Sequence, residues 1–141
     1  MTLSISECKR DFLTPCHTYL FGNLLTKWSL YGITSAQGNS AESLTQDWNP
    51  NPMGRVRLLS QCRQLYTYSH AYLITNDPKW LEIIKPLYLF IIKHYLFIDE
   101  GIERWRFSLD DKLNPLDNDS DAYALAFVLL SFSFYYKATQ D

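Results

Sequence analysis

Glu42-Ser43-Leu44-Thr45-Gln46-Asp47-Trp48-Asn49-Pro50 comes back 65 residues later as Phe107-Ser108-Leu109-Asp110-Asp111-Lys112-Leu113-Asn114-Pro115, with Ser, Leu, Asn and Pro unchanged. A second echo follows each copy. Ala71-Tyr72-Leu73-Ile74-Thr75-Asn76-Asp77 is matched by Tyr135-Tyr136-Lys137-Ala138-Thr139-Gln140-Asp141, where Thr and Asp recur at an offset of 64. Two independent matches at nearly one spacing define a repeated unit, the pattern of an array of supersecondary units.

Each unit reads as helix, short hairpin, helix. From Ser6 to about Tyr31, Phe12, Cys16, Tyr19, Leu20, Leu24 and Trp28 fall close to the helical period, and Ser6 is an expected N-cap. A polar stretch follows, holding the short Glu42 to Thr45 segment and the turn-forming Asn49-Pro50-Asn51-Pro52. Val56, Leu58, Leu59, Cys62, Leu65, Tyr66 and Leu73 then mark a second helix, which stops before Asn76-Asp77-Pro78 because proline disfavours the α region for the residue ahead of it. The order repeats: a helix from Pro78 to about Tyr95 with Pro86 as an expected kink, a hairpin at Trp105 to Leu116, and a helix from about Asp119 to Ala138. The expected class is all-α with short β-hairpins, in units of residues 12–77 and 78–141. Such units usually need about three or more copies to bury their faces, so two copies read as part of a larger closed object.

Composition narrows the function. The chain has 141 residues, 47% hydrophobic and 16% aromatic, which excludes intrinsic disorder. Thirteen Lys+Arg against fifteen Asp+Glu leave no electrostatic footprint for nucleic acid or an acidic membrane. Ala122 to Tyr136 is uncharged but shorter than the roughly 18 to 20 residues that cross a bilayer, and so reads as a buried helix. Charged residues at Glu7, Lys9, Arg10 and Asp11 interrupt any signal-peptide core. Cys8, Cys16 and Cys62 lack ligand spacing, which predicts reduced thiols in a cytoplasmic protein and no zinc site. Asp110, Asp111, Asp117, Asp119 and Asp121 lack the alternation and glycine of a calcium loop and read as a solvated turn.

Arg57-Leu58-Leu59-Ser60-Gln61-Cys62-Arg63-Gln64-Leu65-Tyr66, then Ser69-His70-Ala71-Tyr72-Leu73 and Asn76-Asp77-Pro78, resembles the R-x-x-x-Q-x-R-Q-x-Y, H-A-Y-L and G-D-P run of the N-acylglucosamine 2-epimerase family. Trp105-Arg106-Phe107-Ser108-Leu109-Asp110 is similar to its G-W-x-F-S-L-D hairpin, and Tyr123 to Leu130 to its L-Y-x-x-A-F-V-L-L helix. Leu125 and Leu59 stand where the family frequently has His or Gln, and Trp. The resemblance implies a toroid of six helix pairs, (α/α)6, whose second helices line a central pocket. It also implies cofactor-independent proton transfer at C1 and C2 of a sugar. Six units of about 65 residues would need on the order of 390, so the chain is expected to be an N-terminal fragment, inactive alone and without the later histidines that move the proton.

Abstracting a proton beside a sugar carbonyl needs a base and a cationic or hydrogen-bonding group for the developing enediolate. By the resemblance, Arg57 contacts substrate oxygens, and its place near a helix start adds a favourable backbone dipole. Gln61, Gln64 and Tyr68 follow at helical spacing and complete an expected polar stripe. Tyr123 is the candidate sugar contact on the second inner helix. His70 is expected to pack between helices, and His17 and His94 to lie on outer helices away from chemistry. No catalytic residue, metal or cofactor is assigned. The other expected partnership is a non-catalytic helical module that pairs with another chain or with itself through apolar faces at Leu129, Phe132, Phe134 and Tyr135.

Overall fold

The computed structural model describes residues 13–34 and 37–141, so the expected cap at Ser6 lies outside the described residues. Helix α1 covers residues 13–31, with a π-helical turn at Leu20–Leu24 and an α-helical close at Leu25–Tyr31. The wider turn falls on Gly22-Asn23, two weak helix formers. Helix α2 is Leu58–Thr75, α3 is Lys79–Tyr95 and α4 is Ala122–Thr139. Aspartate 121 caps α4 by accepting the Ala124 N–H at 2.7 Å.

Helices α2 and α4 run parallel: Arg63 meets Tyr123 and Phe127, and further along Tyr66 and His70 meet Phe134. Helix α3 runs back between their ends, its first turn stacking Trp80 on Tyr68 and its last residue, Tyr95, reaching the Val56 carbonyl. The core sits among these three helices, with Leu58, Cys62 and Leu65 of α2 against Ile84, Leu87 and Ile91 of α3. Burial pushes the Cys62 thiol up to about 12. Proline 86 lies inside α3 without ending it, and Gly38 (φ +77°) packs on it so closely that a Cβ would come within 2.8 Å of the Pro86 Cβ.

Two expectations about α4 are corrected. Although uncharged from Ala122 to Tyr136, it buries only the stripe Ala124, Val128, Ser131 and Tyr135. Among the described residues it packs mainly on α2 and α3, with Trp105 edge-on to Phe132, and Leu129 is 72% exposed while Leu130 and Tyr136 also face solvent. The apolar face expected at Leu129, Phe132, Phe134 and Tyr135 is smaller: Tyr135 is buried and stacked on Tyr88, while Phe132 and Phe134 are half-buried against Tyr88 and Tyr66.

The strands are more numerous than an all-α class implies. Strand β1 (Val56–Arg57) pairs antiparallel with β4 (Ser108–Leu109), which pairs with β5 (Pro115–Asp117). A separate hairpin joins β2 (Leu96–Asp99) to β3 (Ile102–Trp105) through Glu100-Gly101, both at positive φ, the backbone of a two-residue primed turn. The hairpin expected at Trp105 to Leu116 is therefore β4–β5, and Trp105 belongs to the other one. The Glu42 to Pro50 segment holds only an isolated bridge, Leu44 with Pro50.

The repeated sequence builds the same local structures twice. The Thr45 N–H donates to the Asn49 carbonyl at 2.9 Å, the Trp48 N–H donates back to Thr45, and Trp48 sits at φ 63°. Likewise the Asp110 N–H donates to Asn114 at 2.8 Å, the Leu113 N–H donates back to Asp110, and Leu113 sits at φ 67°. Both helix ends repeat as well. Asn76 and Gln140 are left-handed C-caps whose N–H groups donate to Tyr72 and Tyr136, and Thr75 and Thr139 each donate a hydroxyl to the carbonyl four residues back.

Candidate functional site

Arg57 is the N-cap residue of α2 and the second residue of β1, so a strand and a helix both fix its backbone. Its backbone N–H donates to Glu42 Oε1 at 2.6 Å; its Nε and Nη2 donate to Glu42 Oε2 at 2.9 and 2.8 Å. The Ser60 hydroxyl adds a fourth bond to the same carboxylate at 2.8 Å. Pairing matters here because the Glu42 side chain is only 5% exposed, whereas that of Arg57 is 46% exposed. Beside the pair lies a cavity of about 260 Å³ lined by Glu42, Met53, Arg55, Arg57 and Phe107. The Arg55 guanidinium stands 5.8 Å from the Phe107 ring centroid, a cation–π distance.

A second polar group lies on the face where α2 meets α4. Tyr123, 59% exposed in the first turn of α4, accepts a hydrogen bond from Arg63 Nη2 at 3.3 Å. The Arg63 guanidinium covers the Phe127 ring at 4.9 Å, and Tyr123 packs edge-on to that ring. The structure thus joins Tyr123 to Arg63, and Arg57 to Glu42.

The stripe Arg57, Gln61, Gln64, Tyr68 does not form one open polar face. Gln61 is fully buried: its Oε1 accepts the Ser40 N–H at 2.7 Å and its Nε2 donates to the Ser40 carbonyl at 2.8 Å. Tyr68 is also fully buried, with its hydroxyl donating to Leu25 of α1. Gln64 is half-buried. The helical spacing is intact, but this side of α2 meets α1 and the loop at Asn39 to Glu42. His70 packs between the rings of Tyr66 and Phe134 and lies 3.3 Å from the Tyr66 hydroxyl. His94 stacks on Phe90, and burial holds its pKa below the ordinary value, helped by Lys93 and Arg106. Among the described residues no group of three His, Cys, Asp or Glu has metal-binding geometry.

Glu42, Arg55, Arg63 and Phe107 are the site residues that sequence reasoning missed as a group. Phe107 sits in the repeated segment, aligned with Glu42 itself, which pointed to structure rather than to a site. Arg55 and Arg63 flank Arg57 as a visible basic group, but nothing in their spacing told which would face a cavity.

The family model for N-acylglucosamine 2-epimerase (GlcNAc 2-epimerase) matches residues 38–141. The chain belongs to this family. The epimerase family match includes every residue of both polar groups just described. Cellobiose 2-epimerase of Dictyoglomus turgidum is 32% identical over 94 residues, 67% of this chain and 24% of that protein. The Bacteroides fragilis cellobiose 2-epimerase is 25% identical over 118 residues, 84% of this chain and 30% of that protein. Among solved structures, cellobiose 2-epimerase from Spirochaeta thermophila superposes with a TM-score of 0.81 at 25% identity, covering 94% of this chain and 32% of the other. A D-mannose isomerase has the same fold at a TM-score of 0.70 and 21% identity, over 82% of this chain and 28% of that one. The chain spans about a quarter to a third of the length of these relatives. No helix among the described residues is long and apolar enough to cross a membrane.

Proposed function

We propose that the chain is the N-terminal part of a carbohydrate 2-epimerase or aldose–ketose isomerase, two helix-pair units (residues 12–77 and 78–141) of an (α/α)6 toroid. The observation that carries this reading is the family match over residues 38–141, with Arg57 inside it at the head of α2 beside a cavity. Cellobiose 2-epimerases among its relatives favour a neutral sugar as substrate. In this reading Arg57 binds sugar oxygens next to the reacting carbons, with Tyr123 and Gln64 as further contacts. Gln61 acts from behind by holding Ser40. The free thiols of Cys16 and Cys62 are in keeping with a cytoplasmic protein.

By the family resemblance the histidines that move the proton come from later helix pairs, so the 141-residue chain, which spans about a quarter to a third of its relatives, is expected to give no turnover of cellobiose, D-mannose or N-acetylglucosamine. Epimerisation or isomerisation that disappears in Arg57→Ala would overturn the inactivity and make the chain a complete catalyst.

A second reading, a helical module that pairs with another chain, is favoured by one observation: Leu129, Leu130 and Tyr136 are exposed on α4. Size-exclusion chromatography separates the two, because a clean monomer across a wide concentration range counts against self-association.

A further inference from the structure

The arrangement around α2 does more than cap a helix. An ordinary cap needs one side-chain oxygen on an N–H of the first turn. Glu42 instead gives one oxygen to the N–H of the N-cap residue and the other to the Nε and Nη2 edge of the guanidinium and to Ser60. That edge is one of the two-pronged faces with which arginine grips carboxylates and phosphates. Nη1 makes no hydrogen bond among the described residues. The half-exposed side chain lines the cavity it shares with Arg55 and Phe107.

The carboxylate is held in turn. Ser40 is bonded through both backbone groups to Gln61, and the Ala41 N–H donates to the Gly32 carbonyl at 2.7 Å, so the two residues leading into Glu42 are anchored to α2 and to the end of α1. We infer that Glu42 is a positioning residue: it locks the Arg57 guanidinium by its Nε–Nη2 edge, balances its charge and leaves Nη1 as a pre-aimed donor to a neutral hydroxyl or carbonyl oxygen. The inference rests on the reading of Arg57 as a sugar contact.

Guanidinium exchange in the 15N-labelled 141-residue chain tests it. The Arg57 Nε–H is expected to exchange with water about tenfold more slowly than that of Arg55, which has no carboxylate partner among the described residues. In Glu42→Gln that protection is expected to be lost, while Ser60→Ala retains it. Should Glu42→Gln not fold, Glu42→Asp keeps the charge but is too short to reach both groups, and the same loss is expected. D-Mannose is expected to shift the Arg57 guanidinium signals in the parent chain and not in the folded Glu42 variant. Equal exchange rates at Arg57 and Arg55 in the parent, or protection that survives loss of the carboxylate, would overturn the positioning role directly. Slow exchange with no response to mannose would instead remove Arg57 as a sugar contact and reduce Glu42 to a structural partner.

Discussion

Trp80→Ala is expected to cost about 3–5 kcal/mol, a large share of the roughly 5–15 kcal/mol that holds a domain folded. The indole is 1% exposed at the start of α3 and stacks on Tyr68 with ring centroids 5.5 Å apart. Its N–H donates to the Thr75 hydroxyl at 3.0 Å, and the Lys79 ammonium covers it from the solvent side at 4.5 Å. Tyr68 carries the contact onward by donating its hydroxyl to Leu25 of α1. One ring therefore joins α3 to α2 and, through Tyr68, to α1, and alanine leaves a cavity that three helices would have to collapse to fill. Urea unfolding followed by circular dichroism measures the loss. Trp80→Phe keeps a ring and gives up mainly the hydrogen bond, so it is expected to cost only about 1–2 kcal/mol. A loss below about 1 kcal/mol for the alanine variant would mean that the helices are not held together at this point.

Gln61→Leu is expected to cost about 2–4 kcal/mol even though leucine is the more hydrophobic residue. The side chain is fully buried, and its amide spans both backbone groups of Ser40. Leucine of similar length leaves a buried N–H and a buried carbonyl without partners, and each such group carries a desolvation penalty of about 1–3 kcal/mol. The same substitution releases the loop that carries Glu42, so the Ser40 amide is expected to exchange with solvent much faster than in the parent. Unchanged stability together with an unchanged Ser40 amide would show that the loop is held by other contacts.

The two variants also separate what local sequence encodes from what packing decides. The turns at Thr45 to Asn49 and Asp110 to Asn114, and the caps at Asn76 and Gln140, close through hydrogen bonds between residues at most five apart. That is why the repeated segments, in which Asn49 recurs as Asn114 and Thr75 as Thr139, fold alike. The same short range made the helices legible, because apolar periodicity and the proline after Asp77 act within a turn or two. The β2–β3 hairpin was local too, but its Glu100-Gly101 turn lacks the Asn-Gly or Asp-Gly signature that marks such a turn most strongly.

By itself, then, the sequence determined the order of helices, the repeated turns and caps, and the family, all of which rest on residues that are near neighbours or on a motif quoted whole. The tertiary structure alone decided which side of α2 is open and which residues form the site. Arg57 finds Glu42 across 15 residues, Gln61 finds Ser40 across 21, and Arg63 finds Tyr123 across 60. The spacing of Arg57, Gln61, Gln64 and Tyr68 placed them on one side of a helix, but whether that side meets solvent or α1 depends on how the helices pack. A helix has the same period whichever face it buries, and only its neighbours choose between them.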